Sequence, residues 1–189
     1  MHMFYALSGL LLGLISVSGF SETPAKSRKV EIDTTHSCVV FKVKHQKVSW
    51  FYGRFNKFQG SITLDGDKSA VSITIDATSV DTANEGRDRH LRGPDFFNTK
   101  QFPEIQFESS SVSISEDEQL HIKGKLTICG VTKEISAVAD KTGEGTARGK
   151  PIVGYHSVIT LKRSDFGITY GKGGIGDDVE VIFSLECKG

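Results

Sequence analysis

Apolar and polar residues alternate through most of the chain after residue 38. Alternation with a period of two is typical of β-strands that bury one face and expose the other. No long stretch of helical periodicity follows residue 20 of the sequence. The pattern predicts strands at VVFKVKH (39–45), SITLD (61–65), VSITIDA (71–77), EIQFE with SVSIS (104–108 and 111–115, one bent or bulged strand), HIKGKLTI (121–128), EISAVA (134–139), VGYHSVITL (153–161) and VEVIFSLE (179–186).

Turn sequences separate these strands, at 65–67, 129–130, 143–145 and in the glycine run 171–176. About eight antiparallel strands with one apolar face each must stack as a sandwich or close into a barrel to bury that face. We favour the barrel, because nearly every strand carries Lys, Thr, Ser or Glu on its second face. The predicted fold is therefore all-β, a single antiparallel β-barrel.

One connection is much longer than the others. Residues 78–103 span about 25 positions, whereas hairpin loops usually have roughly 2–5. Within this segment, 84–92 is predicted to form a short helix that Gly93-Pro94 ends. Phe96, Phe97 and Phe102 give the segment an apolar side. We therefore expect residues 78–103 to cover one end of the barrel, and call them the capping loop.

The first twenty residues differ from the rest of the chain. They contain no Asp, Glu, Lys or Arg and carry an apolar run from Leu7 to Val17. This predicts a secretory signal peptide over 1–20, cleaved near 17–19. The alternative is an uncleaved anchor, although the run is shorter than the ~20 residues of a spanning helix. A polar leader (21–29) and one domain (30–188) would follow, in the periplasm or outside the cell.

Charge content argues against a nucleic-acid-binding protein, and cysteine content against a disulfide-bonded one. With 23 basic and 23 acidic residues, the chain has no net field that would favour nucleic acid. Three cysteines leave an odd count for disulfide pairing. Strand alternation places Cys38 on the outer face and Cys187 on the inner face, so we expect no bridge between them.

Several segments carry a family resemblance. They are His36, FKVKH (41–45), GRFNKFQGSITLD (53–65), SVDTANEGRDRHLRGPDFFNTKQFPEIQF (79–107), GKLTICGVTKEI (124–135) and RSDFGI (163–168). In this order, over about residues 30–187, the chain resembles the YceI family of exported lipid-binding proteins. The resemblance implies a lipocalin-like barrel whose interior holds a long isoprenoid or similar lipid chain. Cys129 departs from the pattern, since the family more often has a basic residue there.

A barrel of this size either fills its interior with side chains or leaves room for one small ligand. Gly124, Ala137, Ala139 and Ser157 are small residues on inward faces and indicate an open channel. In the alternative, their large neighbours interdigitate with them and fill the core. The predicted ligand-binding residues are Phe41, Val43, His45, Trp50, Phe55, Ile62, Leu64, Ile73, Ile75, Asp88, His90, Leu91, Phe96, Phe97, Phe107, Leu126, Tyr155, Ile159, Phe166 and Phe183.

Polar residues near the barrel mouth have two interpretations. His45 ends an apolar face, where it could hydrogen-bond a ligand head group or Asp88, or could have other partners at the rim. In the capping loop, Arg87, Asp88, Arg89 and Arg92 are expected to pair with each other or with the rim, while Leu91, Phe96 and Phe97 turn inward. For residues 163–167 we expect a buried turn with a charge pair.

Catalytic and metal-binding motifs are weak. Asp88, His90 and Ser79 suggest a hydrolase, but the sequence contains no G-x-S-x-G motif. Histidines and cysteines lack the close spacing of zinc ligands. Residues 171–176 match G-x-G-x-x-G but precede a strand rather than a helix, so they do not indicate a dinucleotide site.

The sequence therefore predicts a non-enzymatic protein that binds, carries or sequesters a polyisoprenoid, quinone or fatty-acid derivative in the cell envelope. The lipid is its ligand and no cofactor is expected. An envelope membrane protein as donor or acceptor, and a homodimer, are further candidate partners. One alternative is an enzyme acting on an isoprenoid or quinone head group, with His45, Asp88 and His90 transferring protons. The other is a stress or adhesion module with a filled core.

Overall fold

The computed structural model describes residues 27–189. The predicted signal peptide lies outside these residues. No helix in the described part is long and apolar enough to cross a membrane. The elements are β1 (Arg28–Ile32), β2 (Cys38–His45), β3 (Ser49–Phe55), β4 (Phe58–Leu64), β5 (Ala70–Asp76), a 3₁₀ turn (Ala77–Ser79), β6 (Val80–Asp81), α1 (Glu85–Leu91), β7 (Glu104–Ile114), β8 (Leu120–Ile128), β9 (Val131–Ala147), β10 (Lys150–Lys162), a second 3₁₀ turn (Arg163–Phe166) and β11 (Ile175–Lys188).

The strands form one closed antiparallel barrel with eight positions around its circumference. Three positions hold two strands end to end, namely β1 with β2, β4 with β3, and β5 with β6. The barrel closes because β11 pairs with β2 along most of its length and with β1 at its last residues. The predicted all-β barrel is confirmed, and each of the eight predicted strands is present.

The described strands also include β1 and β3, which the alternation pattern did not predict. β1 begins at Arg28, inside the predicted polar leader. The pattern missed this strand because only Val30 and Ile32 of the charged segment turn inward. β3 carries aromatic residues on both faces, so its sequence shows no alternation of apolar and polar positions. Trp50 is exposed, whereas Phe55 on the opposite face is buried.

Glycines 143 and 145 do not form the predicted turn, because both lie inside β9. The pairing of β9 with β10 shifts at this point, from Gly154 opposite Gly143 to Tyr155 opposite Lys141, which is a β-bulge. Glycine in a strand often marks such a bulge. The actual hairpin turn is Arg148-Gly149, where both residues have positive φ, 51° and 77°.

Other local predictions are confirmed. β7 is bulged between Ser109 and Ser111, and Cys129-Gly130 forms the tight turn between β8 and β9. Helix α1 begins after Asn84, whose Oδ1 accepts a hydrogen bond from the Arg87 N–H at 2.9 Å. The chain therefore leaves the barrel wall, forms the short capped helix α1 and returns over the barrel mouth.

We call the covered mouth the lid end. The opposite end, where β1 begins and β11 ends, is the far end. Hydrophobic side chains on the inner faces form a single core between the two ends.

Candidate functional site

Two adjoining apolar cavities occupy the barrel interior. The central cavity has a volume of about 80 Å³, and the lid cavity, beneath the capping loop, about 140 Å³. Side chains shared by both cavities separate them, and these are Ile75, Ile105, Leu126, Ile159 and Phe183. The two cavities therefore form one apolar path that partly closes in the middle.

The capping loop forms the roof of the lid cavity. Leu91, Phe96 and Phe97 line it from above, as predicted. The Phe97 ring lies 5.5 Å from the Phe55 ring, edge to face, and Phe55 in turn lies 5.6 Å from Phe41. This chain of rings joins the loop to the β2–β3 wall, so the roof is packed rather than loosely laid over the opening.

The cavities are small compared with a long lipid. An engineered apolar cavity of about 150 Å³ stays dry and binds one benzene molecule. Neither the central cavity nor the lid cavity exceeds that size. A longer chain would therefore have to occupy both cavities and displace the side chains between them.

The predicted small residues divide into two groups. Ala137, Ala139 and Ser157 line the central cavity and leave space open. Gly124 does not, because the Phe107 ring lies across it, 2.6 Å from where a Cβ would be. Phe41 covers Gly53 in the same way, at 2.3 Å. Interdigitation, the alternative considered from the sequence, thus applies at the glycines and not at the other small residues.

Most of the predicted ligand-binding residues line one of the cavities. These are Phe41, Val43, Phe55, Ile62, Ile73, Ile75, Leu91, Phe96, Phe97, Phe107, Leu126, Tyr155, Ile159, Phe166 and Phe183. Further lining residues were missed although strand alternation places them on inward faces, among them Val39, Val71, Ile105, Ile122, Ile135, Leu161 and Val181.

Trp50 and Leu64 do not line either cavity. Trp50 is 49% exposed on the outer face, where the ammonium groups of Lys44 and Lys42 lie 4.6 and 5.2 Å from its ring centroid. Its assignment was wrong because it and Phe55 lie five positions apart on one strand and so on opposite faces. Leu64 ends β4 at the far end and packs against the core there.

Asp88 holds the capping loop together instead of lining the cavity, since its partner Thr82 lies in the same loop, directly after β6. Its buried carboxylate accepts hydrogen bonds from the backbone N–H and the hydroxyl of Thr82, the former at 2.9 Å. Arg87 donates to the same threonine, from Nε to the hydroxyl at 2.7 Å and from Nη2 to the carbonyl at 2.8 Å. Arg92 reaches the carbonyls of Thr78 and Val80 at 3.4 Å. Arg87 and Arg92 therefore bind hydroxyl and backbone carbonyl groups of their own loop, and not carboxylates.

The two histidines near the mouth have separate partners. His90 Nε2 lies 2.9 Å from Asp95 Oδ2, and its ring contacts Phe96 and Tyr170 edge-on, each with centroids 5.0 Å apart. His45 packs edge-on against Phe51 at 4.9 Å. Within residues 27–189 no hydrogen bond joins His45 to Asp88, so the three proton-transfer candidates do not share one hydrogen-bonded network.

Arg163 is buried beside the lid cavity, and the sequence did not single it out as more than half of a charge pair. Its guanidinium donates to four backbone carbonyls, those of Gly176 (2.8 Å), Ile168 (3.0 Å), Tyr170 (2.8 Å) and Ile175 (3.1 Å). Within residues 27–189 no ion pair joins Arg163 to Asp165, so the expected charge pair does not form; the guanidinium binds the four carbonyls instead. Arg163 instead holds the glycine-rich loop in place at the lid end.

The far end is closed by ion pairs. Lys141 lies on the same face of the sheet as Tyr155, and its ammonium lies 2.5 Å from Glu118 and 3.1 Å from Glu144. Hydrogen bonds to these two carboxylates raise the pKa of Lys141. Arg28 approaches Glu144 at 3.7 Å. Burial raises the pKa of Tyr155 in the interior below.

All three cysteines are free thiols. Cys187 is fully buried, and burial raises its pKa to about 11. The Cys129 thiol points at the Phe96 and Phe97 carbonyls, at 3.4 and 3.5 Å, and partial burial raises its pKa. Cys129 therefore contacts the capping loop and is not an exposed reactive thiol.

One group of side chains on the barrel wall has the composition of a metal site. Ligand atoms of Asp33, His36 and Glu186 lie within 4.8 Å of one another, at the break between β1 and β2. Lys188 already places its ammonium 3.4 Å from the Asp33 carboxylate. The cluster thus has its own counter-charge, and its side chains already pair with one another.

Comparisons with known proteins agree with this architecture. The YceI-like domain model matches residues 31–187. A protein named UPF0312 protein from Yersinia pestis (strain Pestoides F) is 38% identical over 184 residues, 95% of each chain. The crystal structure of Burkholderia cenocepacia BcnA is 25% identical and superposes with a TM-score of 0.74 over 82% of this chain and 98% of that one.

A second solved structure shares the fold. It is described as a polyisoprenoid binding domain from Saccharophagus degradans, is 18% identical, and has a TM-score of 0.65 over 84% of this chain and 97% of its own. The resemblance that the sequence motifs indicated is thereby confirmed. The chain belongs to the YceI-like domain family.

Proposed function

We propose that this protein binds one long apolar lipid chain inside its barrel and carries or sequesters it without chemical change. The observation that carries the proposal is the apolar path formed by the central and lid cavities under a packed roof. The polyisoprenoid-binding domain with the same fold supports a lipid as the ligand class. A polyisoprenoid, a quinone tail or a fatty-acid derivative fits this chemistry.

The interior offers little to hold a polar head group. The Ser157 hydroxyl already donates to the Val138 carbonyl at 2.7 Å, and the Arg163 guanidinium donates to four backbone carbonyls. Affinity would come from burial, because each CH₂ removed from water contributes ~0.8 kcal/mol and about ten contribute ~8 kcal/mol before the cost of association. The head group therefore remains outside the apolar path.

Carriage is favoured over catalysis by the separation of the polar residues. Asp88 binds Thr82, His90 pairs with Asp95, and His45 packs against Phe51. Proton transfer needs a base within about 3 Å of a reacting group in a shared site. The signal peptide predicted for 1–20 would place this carrier in the periplasm or outside the cell, where an envelope membrane protein would exchange lipid with it.

The test is mass spectrometry of an organic extract of the protein purified from its native envelope. Lipid should be recovered from the wild type and from Lys125→Trp, whose exposed side chain lies on the outer face of β8. Ala137→Trp, on the inner face, should lose most of it because the indole fills the central cavity. Recovery of no lipid, together with no saturable uptake of all-trans-retinol by the emptied protein, would overturn the proposal.

A further inference from the structure

The wall between β9 and β10 is only half paired. Residue pairs run from Lys150 opposite Ala147 to Ser157 opposite Ala139, and there the ladder ends. Beyond it, residues 131–138 pair with β8 alone, and 158–162 pair with β11 alone. Between these two segments the barrel has a gap in its interstrand hydrogen bonding, which we call the side slit.

The side slit leads into both cavities. Ile135 and Ala137 on one edge line the central cavity, and so does Ile159 on the other edge. Ile159 and Leu161 also line the lid cavity. The same four side chains take part in a groove on the outer surface of the barrel. Interior and exterior lining are thus continuous at this place.

The rim of the side slit is mixed: two exposed valines stand at one end, and polar side chains, among them Ser136 and Thr160, follow along the edges. Val138 and Val158 point outward from its two edges and are 42% and 46% exposed. At one end the Ser157 hydroxyl binds the Val138 carbonyl, and at the other the 3₁₀ turn Arg163–Phe166 contacts β9. The slit is therefore a bounded window in the wall and not a frayed barrel edge.

Opening this window requires less than opening either end. The capping loop is held on the barrel by the Phe97 ring against Phe55 and by the pairing of β6 with β3, and the far end is held by the ion pairs of Lys141. Separating 131–138 from 158–162 breaks none of the ladder hydrogen bonds, because none join them. The backbone groups along the two edges already need water as their partner.

From this geometry we infer that the side slit is the entrance through which an apolar chain reaches the cavities. The inference rests on the proposed function. The two exposed valines and the apolar side chains that line both groove and cavities would receive the chain. Parting of the two segments would widen the space that separates the central and lid cavities. Uptake would then proceed with the capping loop in place.

A reversible staple across the slit tests the inference. Ser136→Cys with Thr160→Cys, in a chain also carrying Cys38→Ser and Cys129→Ser, places one thiol on each edge inside the slit, at positions that continue the same register and line the outer groove. Oxidation then joins the two edges by a disulfide. The fully buried Cys187 stays in place. Association of all-trans-retinol, followed by its fluorescence in a stopped-flow instrument, should slow about tenfold on oxidation and recover on reduction, since binding that needs a conformational change is slow.

The matched control is Val40→Cys with Arg54→Cys in the same background. These residues also face each other on the outer surface, but in the complete β2–β3 ladder. Oxidation of this pair should leave the rate unchanged. Equal rates for the oxidised and reduced slit variant would overturn the side entrance while leaving the lipid carrier intact. No uptake in either state would overturn both.

Amide hydrogen exchange provides a second measurement that needs no disulfide. In residues 131–138 the amides that point away from β8 should exchange fast, and so should those in 158–162 that point away from β11. The amides of 152–157, where both neighbours are paired, should be protected. Equal protection of the slit segments and 152–157 would contradict the inference.

Discussion

The two ends of the barrel are closed by different chemistry. The lid end is covered by aromatic side chains, and hydrogen bonds among Thr82, Arg87 and Asp88 hold their loop together. The far end is closed by Lys141 between two glutamates. Ring packing excludes water and leaves an apolar space beneath it, whereas ion pairs at the rim remain in contact with solvent and ions. The larger of the two apolar cavities accordingly lies next to the lid.

The largest effect is expected from removing the carboxylate that holds the capping loop together. Asp88→Ala leaves the Thr82 N–H and hydroxyl without their carboxylate, and should lower the free energy of unfolding by about 3 kcal/mol. Urea denaturation measures this value. Asp95→Ala, in the same loop but exposed beside His90, should cost less than about 1 kcal/mol. Equal losses would show that the buried carboxylate does not hold the loop together.

Removing one ring of the roof should have the next largest effect. Phe97→Ala should cost about 2 kcal/mol, below the range for a fully buried phenylalanine, and weaken retinol binding because the lid cavity opens to water. Tyr52→Ala, on the outer face of β3, serves as the control and should change neither quantity appreciably. Unchanged retinol affinity in Phe97→Ala would separate the lid cavity from ligand binding.

The contribution of the far end to thermal stability should depend on salt concentration, whereas that of the lid should not. Lys141→Met removes the cation between Glu118 and Glu144 and should lower the melting temperature at low ionic strength. The difference from the wild type should narrow in about 1 M NaCl, where exposed charges are screened. Phe97→Ala should show no such narrowing. A salt-independent effect of Lys141→Met would mean that its side chain acts by packing alone.

The smallest effect concerns Asp33, which lies outside both ends. A hydrogen bond from His36, followed by the Thr35 N–H and then Lys188, lowers the pKa of Asp33 to about 2. Because this pKa is below that of the unfolded chain, the stabilisation is present above about pH 4 and is lost as the pH falls towards 2. Asp33→Asn should therefore be less stable than the wild type at pH 6 and equal to it near pH 2, as measured by thermal unfolding. A constant difference would contradict the lowered pKa.

Strand alternation was enough to predict the barrel and most of its lining, because one buried face dictates which residues are apolar. The prediction failed where that rule does not operate. β3 has rings on both faces, so Trp50 was placed inside although it is exposed. Lys141 is charged on an inward face, because at the far end it meets carboxylates and water.

Contacts between side chains of neighbouring strands also cannot be predicted from the alternation pattern. Gly124 appeared to provide free space, but the ring of Phe107 on the neighbouring strand occupies it. The side slit has no signature in sequence either, because EISAVA and VGYHSVITL alternate equally well with or without hydrogen bonds between them. Register, which decides both cases, depends on how each strand meets its neighbour.

The outward position of Trp50 has an optical consequence. It is the only tryptophan of the chain, so the intrinsic indole emission comes from a single, half-exposed site outside the barrel wall. A saturated lipid entering the cavities should leave this emission unchanged, whereas a conjugated polyene should quench it by energy transfer through the wall. The protein thus contains its own fixed donor for measuring where along the barrel axis a chromophoric ligand rests.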